Sequence, residues 1–267
     1  FKPSNFKSLL NNKIKKGKII SEIEIFLNDQ GTLENFIAKG KVKGLKVQLF
    51  NDLNFSKVNL SFFADRNDIL IKNIFGDIAD IKISDGDIKL NFEKGIKLNS
   101  NFISIINYDE KLISKYSKFL KRYNLDGKIK NLKADLNNNL TIDLDKTYKV
   151  KDYNYSISAN LEKGKFEIFE PIKNDFIKEE IKKIYLSDSQ IKMIFKPKSI
   201  SLKCDGKYSF NNTNFLKINF ENNIKGDLVD LKLNLDYGNN FKLDLINYKK
   251  KNNSISNLYL DLTKKKN

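Results

Sequence analysis

Apolar and polar residues alternate with a period of two along most of this chain, and that period constrains the backbone to strands. The clearest run is Asp230-Leu231-Lys232-Leu233-Asn234-Leu235-Asp236. Successive side chains of a strand point to opposite faces, so such a run has one dry face and one wet face. Many runs of this kind in series make a long, twisted, largely antiparallel sheet. Its dry face must be covered, and what covers it is the functional question.

A glycine-led version of the pattern recurs three times. It begins at Gly40-Lys41-Val42-Lys43-Gly44-Leu45, at Gly127-Lys128-Ile129-Lys130-Asn131-Leu132, and at Gly226-Asp227-Leu228-Val229-Asp230-Leu231. The glycines are expected to mark bends, and the runs after them to form part of each unit's floor. This predicts three β units in one continuous sheet, over residues 1–107, 108–184 and 185–267.

Strands are expected from Ile19 to Leu27, ending in the turn Asn28-Asp29-Gln30-Gly31, and from Leu33 to Leu49. Further runs are Val58 to Phe62, Ile69 to Asn73, Ile81 to Ser84 and Asp87 to Phe92. Asp85-Gly86 between the last two reads as a hairpin turn. Later runs are Ile129–Leu136, Leu140–Leu144, Tyr153–Leu161, Lys165–Phe169, Ile191–Phe195, Ile200–Cys204 and Tyr208–Phe210. Asp205-Gly206 reads as another turn. Phe215–Phe220, Leu228–Leu235, Phe241–Leu245 and Leu258–Leu262 complete the series.

Three stretches carry the helical period instead. Phe6, Leu9, Leu10 and Ile14 share one face of a helix over Asn5–Lys16, with Ser4 as N-cap and Gly17 as its stop. Leu112, Tyr116, Phe119, Leu120 and Tyr123 mark a second helix over Tyr108–Tyr123. A weaker pattern suggests a third over Pro171–Ile184.

Composition narrows the chemistry. Apolar residues make up 40% of the 267, enough for a core, and no run reaches the roughly 18–20 apolar residues of a membrane helix. With only 12 Gly and 3 Pro, turns must fall to Asn and Asp. The chain has no His, which removes Ser-His-Asp and Cys-His catalysis and most catalytic zinc sites. There is no phosphate-binding loop and no dinucleotide fingerprint. Cys204, the single cysteine, falls in phase with the apolar residues and reads as a small buried hydrophobe. Asp77, Asp80, Asp85 and Asp87 are the nearest thing to a calcium cluster, though Asp also belongs in turns for backbone reasons. These readings give no enzyme, no metal and no cofactor.

The net charge of +16 suits an anionic membrane surface, nucleic acid, or no specific partner. A nucleic-acid-binding sheet needs aromatics beside basic residues on one face. Here most Phe residues are in phase with Ile and Leu and opposite the Lys residues, so no nucleic-acid partner is expected. The runs Lys249-Lys250-Lys251 and Lys264-Lys265-Lys266 read as solvated ends.

Residues 6–102 resemble the periplasmic repeats of the AsmA-like superfamily of bacterial envelope proteins. The resemblance rests on Asn5-Phe6-Lys7-Ser8-Leu9-Leu10 with Gly17, then Asn28-Asp29-Gln30-Gly31-Thr32-Leu33-Glu34-Asn35-Phe36, then Gly40-Lys41-Val42-Lys43-Gly44-Leu45. Ile74-Phe75-Gly76-Asp77-Ile78 and Ser84-Asp85-Gly86-Asp87-Ile88 complete it. It implies a repeating β-groove, open along one side, within a periplasmic lipid-transfer bridge. Such a bridge is tethered to the inner membrane, here by an anchor outside this chain, and carries phospholipid toward the outer membrane of a Gram-negative cell. The implied partners are phospholipid acyl chains, the inner membrane and outer-membrane proteins.

The groove lining expected from phase is Leu45, Val47, Leu49, Val58, Leu60, Phe62, Ile88, Leu90, Phe92, Leu231, Leu233 and Leu235. Shielding is worth having: an acyl chain of about 16 carbons costs roughly 12 kcal/mol in water at about 0.8 per methylene. The rival readings are a structural or adhesive β-rich surface protein with a filled core, and an outer-membrane barrel. The barrel would need aromatic girdles, and the chain has no Trp.

Overall fold

The computed structural model describes residues 13–50, 53–78, 81–93, 95–115, 129–147, 149–174, 177–238, 242–243, 247–250 and 254–265. The chain is mostly β. Thirteen strands hydrogen-bond in one antiparallel sheet: β1 (Ile14–Leu27), β2 (Leu33–Phe50), β3 (Leu53–Ala64), β4 (Asp68–Ile78), β5 (Ile81–Asn91), β6 (Ile96–Tyr108), β7 (Ile129–Leu144), β8 (Val150–Asn174), β9 (Ile177–Lys196), β10 (Ser199–Ser209), β11 (Leu216–Lys225), β12 (Leu228–Tyr237) and β15 (Ser256–Lys265). Neighbours in the sheet follow chain order, with α-helical and undescribed residues between β6 and β7. A small hairpin, β13 (Lys242–Leu243) with β14 (Tyr248–Lys249), is inserted before β15. The sheet does not close, so among the described residues β1 and β15 are its edges and there is no barrel.

Several strands are longer than the alternation alone suggested. Asp85-Gly86 and Asp205-Gly206 lie inside β5 and β10 rather than in turns. Both glycines make room instead of turning the chain. A Cβ on Gly86 would strike the ring of Phe102, and one on Gly206 would strike Ser189. The expected third helix is absent: β8 runs to Asn174 and β9 starts at Ile177. Ile14, Lys15 and Lys16, assigned to the end of the first helix, open β1, Lys13 lies in a turn before it, and residues 5–12 lie outside the described residues. Of the second helix, α1 (Glu110–Lys115) is described, with the Asp109 carboxylate accepting the Leu112 amide at 2.7 Å. Residues 116–123 lie outside the description.

The glycine-led repeat does not have one structural role. Gly40 sits within β2 beneath the Phe62 ring, Gly226 lies in the β11–β12 turn, and Gly127 is outside the described residues. The bend in β2 falls at Gly44, whose φ of 60° accompanies a register shift against β3. Turns follow composition: Asn28 Oδ1 accepts the amides of Gln30 and Thr32, and Asp65 and Asp145 do the same work.

Contacts divide the chain into two compact units. The first comprises Phe1–Ile106, Leu136–Ile157 and Phe195–Pro197. The second comprises Asn107–Asp135, Ser158–Ile194 and Lys198–Asn267.

Candidate lipid-facing surfaces

In the first unit, the register collects the alternating apolar residues on one face. Val42 pairs with Leu60, Leu45 with Val58, and Val47 with Phe55 across β2–β3. Phe62 pairs with Ile71, which pairs with Ile88; Ala64 pairs with Ile69, which pairs with Leu90 and then Leu98. This gathers Leu45, Val47, Leu60, Phe62, Ile88 and Leu90 as half-buried side chains, while Val58 is buried at 4% exposure. Phe92 is half-buried just past β5, its amide held by the Asn67 carbonyl at 2.8 Å. Leu49 is in β2, with its side chain outside the description.

The same face is filled in places by the unit's own side chains. Val58, Ile74, Ile83 and Ile106 are buried, and Gly76 lets Val58 approach closely. Between these lies a polar node that the apolar phase did not reveal. The Asn138 amide donates to Ser104 Oγ at 3.0 Å and to the Phe102 carbonyl at 3.2 Å, and Tyr155 O–H donates to Asn138 Oδ1 at 2.9 Å. Tyr155 stacks on Phe195, and burial pushes its phenol pKa up. The signal was present as polar residues in apolar phase: Ser100 and Ser104 between Leu98, Phe102 and Ile106, and Asn138 between Leu136 and Leu140.

In the second unit, the apolar rows continue strand to strand without a break in register. Phe220 pairs with Leu233, which pairs with Leu260; Ile218 with Leu235, which pairs with Leu258; Asn222 with Leu231, which pairs with Leu262. Leu231, Leu233 and Leu235 are half-buried, while Leu260 and Leu262 are exposed. Cys204 lies in this face opposite Phe220, buried, and its burial raises the thiol pKa. At the end of these strands is a cavity of about 540 Å³ of mixed lining, with Tyr208, Leu216 and Ile255 beside Glu180, Lys182 and Asn211. Tyr208 O–H donates to the Asp236 carbonyl at 2.7 Å, and burial holds its phenol far above the usual range.

The opposite face of the second unit is a charge ladder. Lys203, Glu221, Lys232 and Asp261 oppose one another in sequence across β10, β11, β12 and β15. Lys203 contacts Glu221 at 2.5 Å, and Lys232 contacts Asp261 at 3.7 Å. The Lys203 ammonium draws the Glu221 pKa down, and Glu221 raises that of Lys203. In the first unit, Lys57–Asp77, Lys89–Asp68 and Lys97–Asp143 pair similarly. The wet face is therefore charged, with ion pairs between some of its lysines and carboxylates.

No three acidic, His or Cys side chains gather as a metal site among the described residues; Asp77 pairs with Lys57, and Asp80 lies outside the description. Lys250, expected in a solvated tail, is 2% exposed, with its ammonium donating to the Gly238 carbonyl at 3.1 Å. No helix among the described residues is long and apolar enough to cross a membrane. In comparisons with family models, curated proteins and solved structures, nothing matches the chain.

Proposed function

We propose that this chain is a segment of a lipid-transfer bridge that shields phospholipid acyl chains on the apolar face of its sheet. The observation that carries the reading is the persistence of one-faced apolar rows in both units. Leu60, Phe62, Ile88 and Leu90 in the first, and Leu231, Leu233 and Leu235 in the second, are half-buried rather than sealed. Charged pairs occupy the opposite face, and no strand closes the sheet. A surface of this kind contacts hydrocarbon through area alone, without headgroup specificity. The role is that of a conduit and not of an enzyme. The repeating β-groove, the periplasmic setting and the inner-membrane tether implied by the resemblance belong to the same proposal.

A filled structural β-sheet is the competing reading, favoured by the burial of Val58, Ile74 and Ile83. Photocrosslinking separates the two. A photoreactive residue at Leu90 or Leu233 should capture phospholipid in cells, whereas one at Lys232, on the charged face, should not. Absence of adducts from both apolar positions, or equal capture from Lys232, would sink the lipid reading.

A further inference from the structure

The edge strand β1 carries a self-complementary charge pattern. From Lys18 to Phe26 it pairs with β2 without a register shift, and the shift between Lys16 and Lys18 puts its extra residue on β2, between Lys43 and Lys46; two-residue steps along β1 therefore place Lys16, Lys18, Ile20, Glu22 and Glu24 on one face. Two cations precede Ile20 and two anions follow it at matching spacing. The strand is exposed along its whole length, with Ile19, Ile20, Ile23 and Ile25 each at least 57% exposed, and it is an edge of the sheet that the described residues form. A long, unpaired, apolar edge is a template for pairing with another strand.

The chain does not itself satisfy this pattern. Lys16 lies opposite Lys46, Lys18 opposite Lys43, and Ile20 opposite Lys41 on β2. Like charges directly opposite one another on a sheet destabilise it. Glu22 and Glu24 share a single cation, Lys39, at 3.2 and 3.9 Å. The strand thus presents cations facing cations at one end and a surplus carboxylate at the other.

We propose that β1 pairs antiparallel with β1 of a second copy of this chain, about a two-fold axis at Ile20. This register sets Lys16 against Glu24 and Lys18 against Glu22 of the second copy. Symmetry repeats both pairs, so four ion pairs flank the central Ile20–Ile20 contact. An isologous contact of this kind closes at two subunits. The other free edge fits less well. Aligning Leu260 and Leu262 of β15 with Ile25 and Ile23 brings Asp261 against Glu24. Ile19 and Ile23 continue the apolar rows of β3–β5 through Val42 and Ala38, but the ion pairs lie on the opposite, charged face, so their failure would leave the proposed function standing.

The test is sedimentation of the full chain, with circular dichroism confirming that each variant folds. The wild type should dimerise, more weakly as salt rises. K16E/K18E and E22K/E24K, each alone, should dimerise roughly tenfold or more weakly, because every cross-strand pair becomes like-charged. Mixing the two variants should restore a dimer, and so should the fourfold swap K16E/K18E/E22K/E24K, which regenerates the pattern in reverse. I20C in a C204A background should form an intermolecular disulfide on oxidation. A monomeric wild type, open-ended assemblies, a dimer indifferent to the charge variants, or single-sided variants that fail to recombine would each overturn the proposal.

Discussion

The two units use the same alternation to different ends. In the first, the ladders from β1 to β4 and between β5 and β6 all contain register shifts, and Lys57 and Asn73 sit at positive φ inside β3 and β4. In the second, the ladders joining β10, β11, β12 and β15 run without a shift. Bulges bend the bulged strand and increase local twist. Val58, Ile74 and Ile83 are sealed in the bulged sheet, whereas Leu231, Leu233 and Leu235 remain half-buried in the regular one. Alternation sets which face is dry; how far that face is covered varies along the strands, since Cys204, Tyr208 and Tyr237 are sealed in the regular ladders as well.

The largest effect should follow from that difference in burial. Ile83 is 3% exposed, so Ile83→Ala should destabilise the chain by about 3 kcal/mol, since both transfer energy and a cavity are lost. Leu233→Ala removes as much hydrocarbon from a half-open position and should cost about 1 kcal/mol. Urea titration of each variant measures both. Equal costs would mean that the regular sheet is as tightly filled as the bulged one, and the contrast between the units would collapse.

A smaller effect should separate the two mid-strand glycines. A Cβ at Gly206 would lie 2.6 Å from Ser189 Cα, so the backbone itself must yield. At Gly86 the obstacle is the Phe102 ring, which can turn aside more cheaply. Gly206→Ala should therefore cost about 2 kcal/mol and Gly86→Ala about 1. Hydrogen exchange would show the first loosening β9 and β10 and the second confined to β5 and β6. The reverse order would place the closer packing in the first unit.

These glycines also show where sequence reading stopped. The dry face of β12 was legible because Leu231, Leu233 and Leu235 hold phase between polar neighbours. The turn at Asn28–Gly31 was legible because its residues carry the backbone requirement themselves: Gly31 adopts a φ of 72° and Asn28 caps the loop. Asp85-Gly86 and Asp205-Gly206 have the same local chemistry but lie in strands, because what selects glycine there is a side chain distant in sequence. Lys57 at positive φ has no local signature either; nothing in its composition distinguishes it from the other strand lysines. The candidate lining residues could be assigned to a face by phase, but the sealing of Val58 depends on Gly76 and the bulges, which act through neighbouring strands. The Asn138 node left a trace, a polar residue in apolar phase, that distinguishes a hydrogen-bonded core position only once its partners are known.

The finest difference between the units lies in how each holds its carboxylates, and it should show in acid and salt. Asp65, in the first unit, has its pKa lowered chiefly by the backbone amides of Asp68 and Asn67, whereas Glu221 owes its lowering to the hydrogen bond from the Lys203 ammonium and then to that ammonium's charge. Both carboxylates are depressed in the folded chain relative to values near 4 when unfolded. Each contribution is therefore present above that range and is lost as pH falls through the lower, folded value. Salt divides them, because screening at about 1 M acts over roughly 3 Å and weakens an exposed ion pair far more than a backbone hydrogen bond. Asp65→Ala should thus lower the urea midpoint at neutral pH in low and high salt alike, and Glu221→Gln more in low salt than in high. Both differences should vanish well below the carboxylate range. A salt-insensitive Glu221→Gln effect would mean that the ladder on the wet face acts through hydrogen-bond geometry rather than charge, and that the two units are stabilised there by the same means.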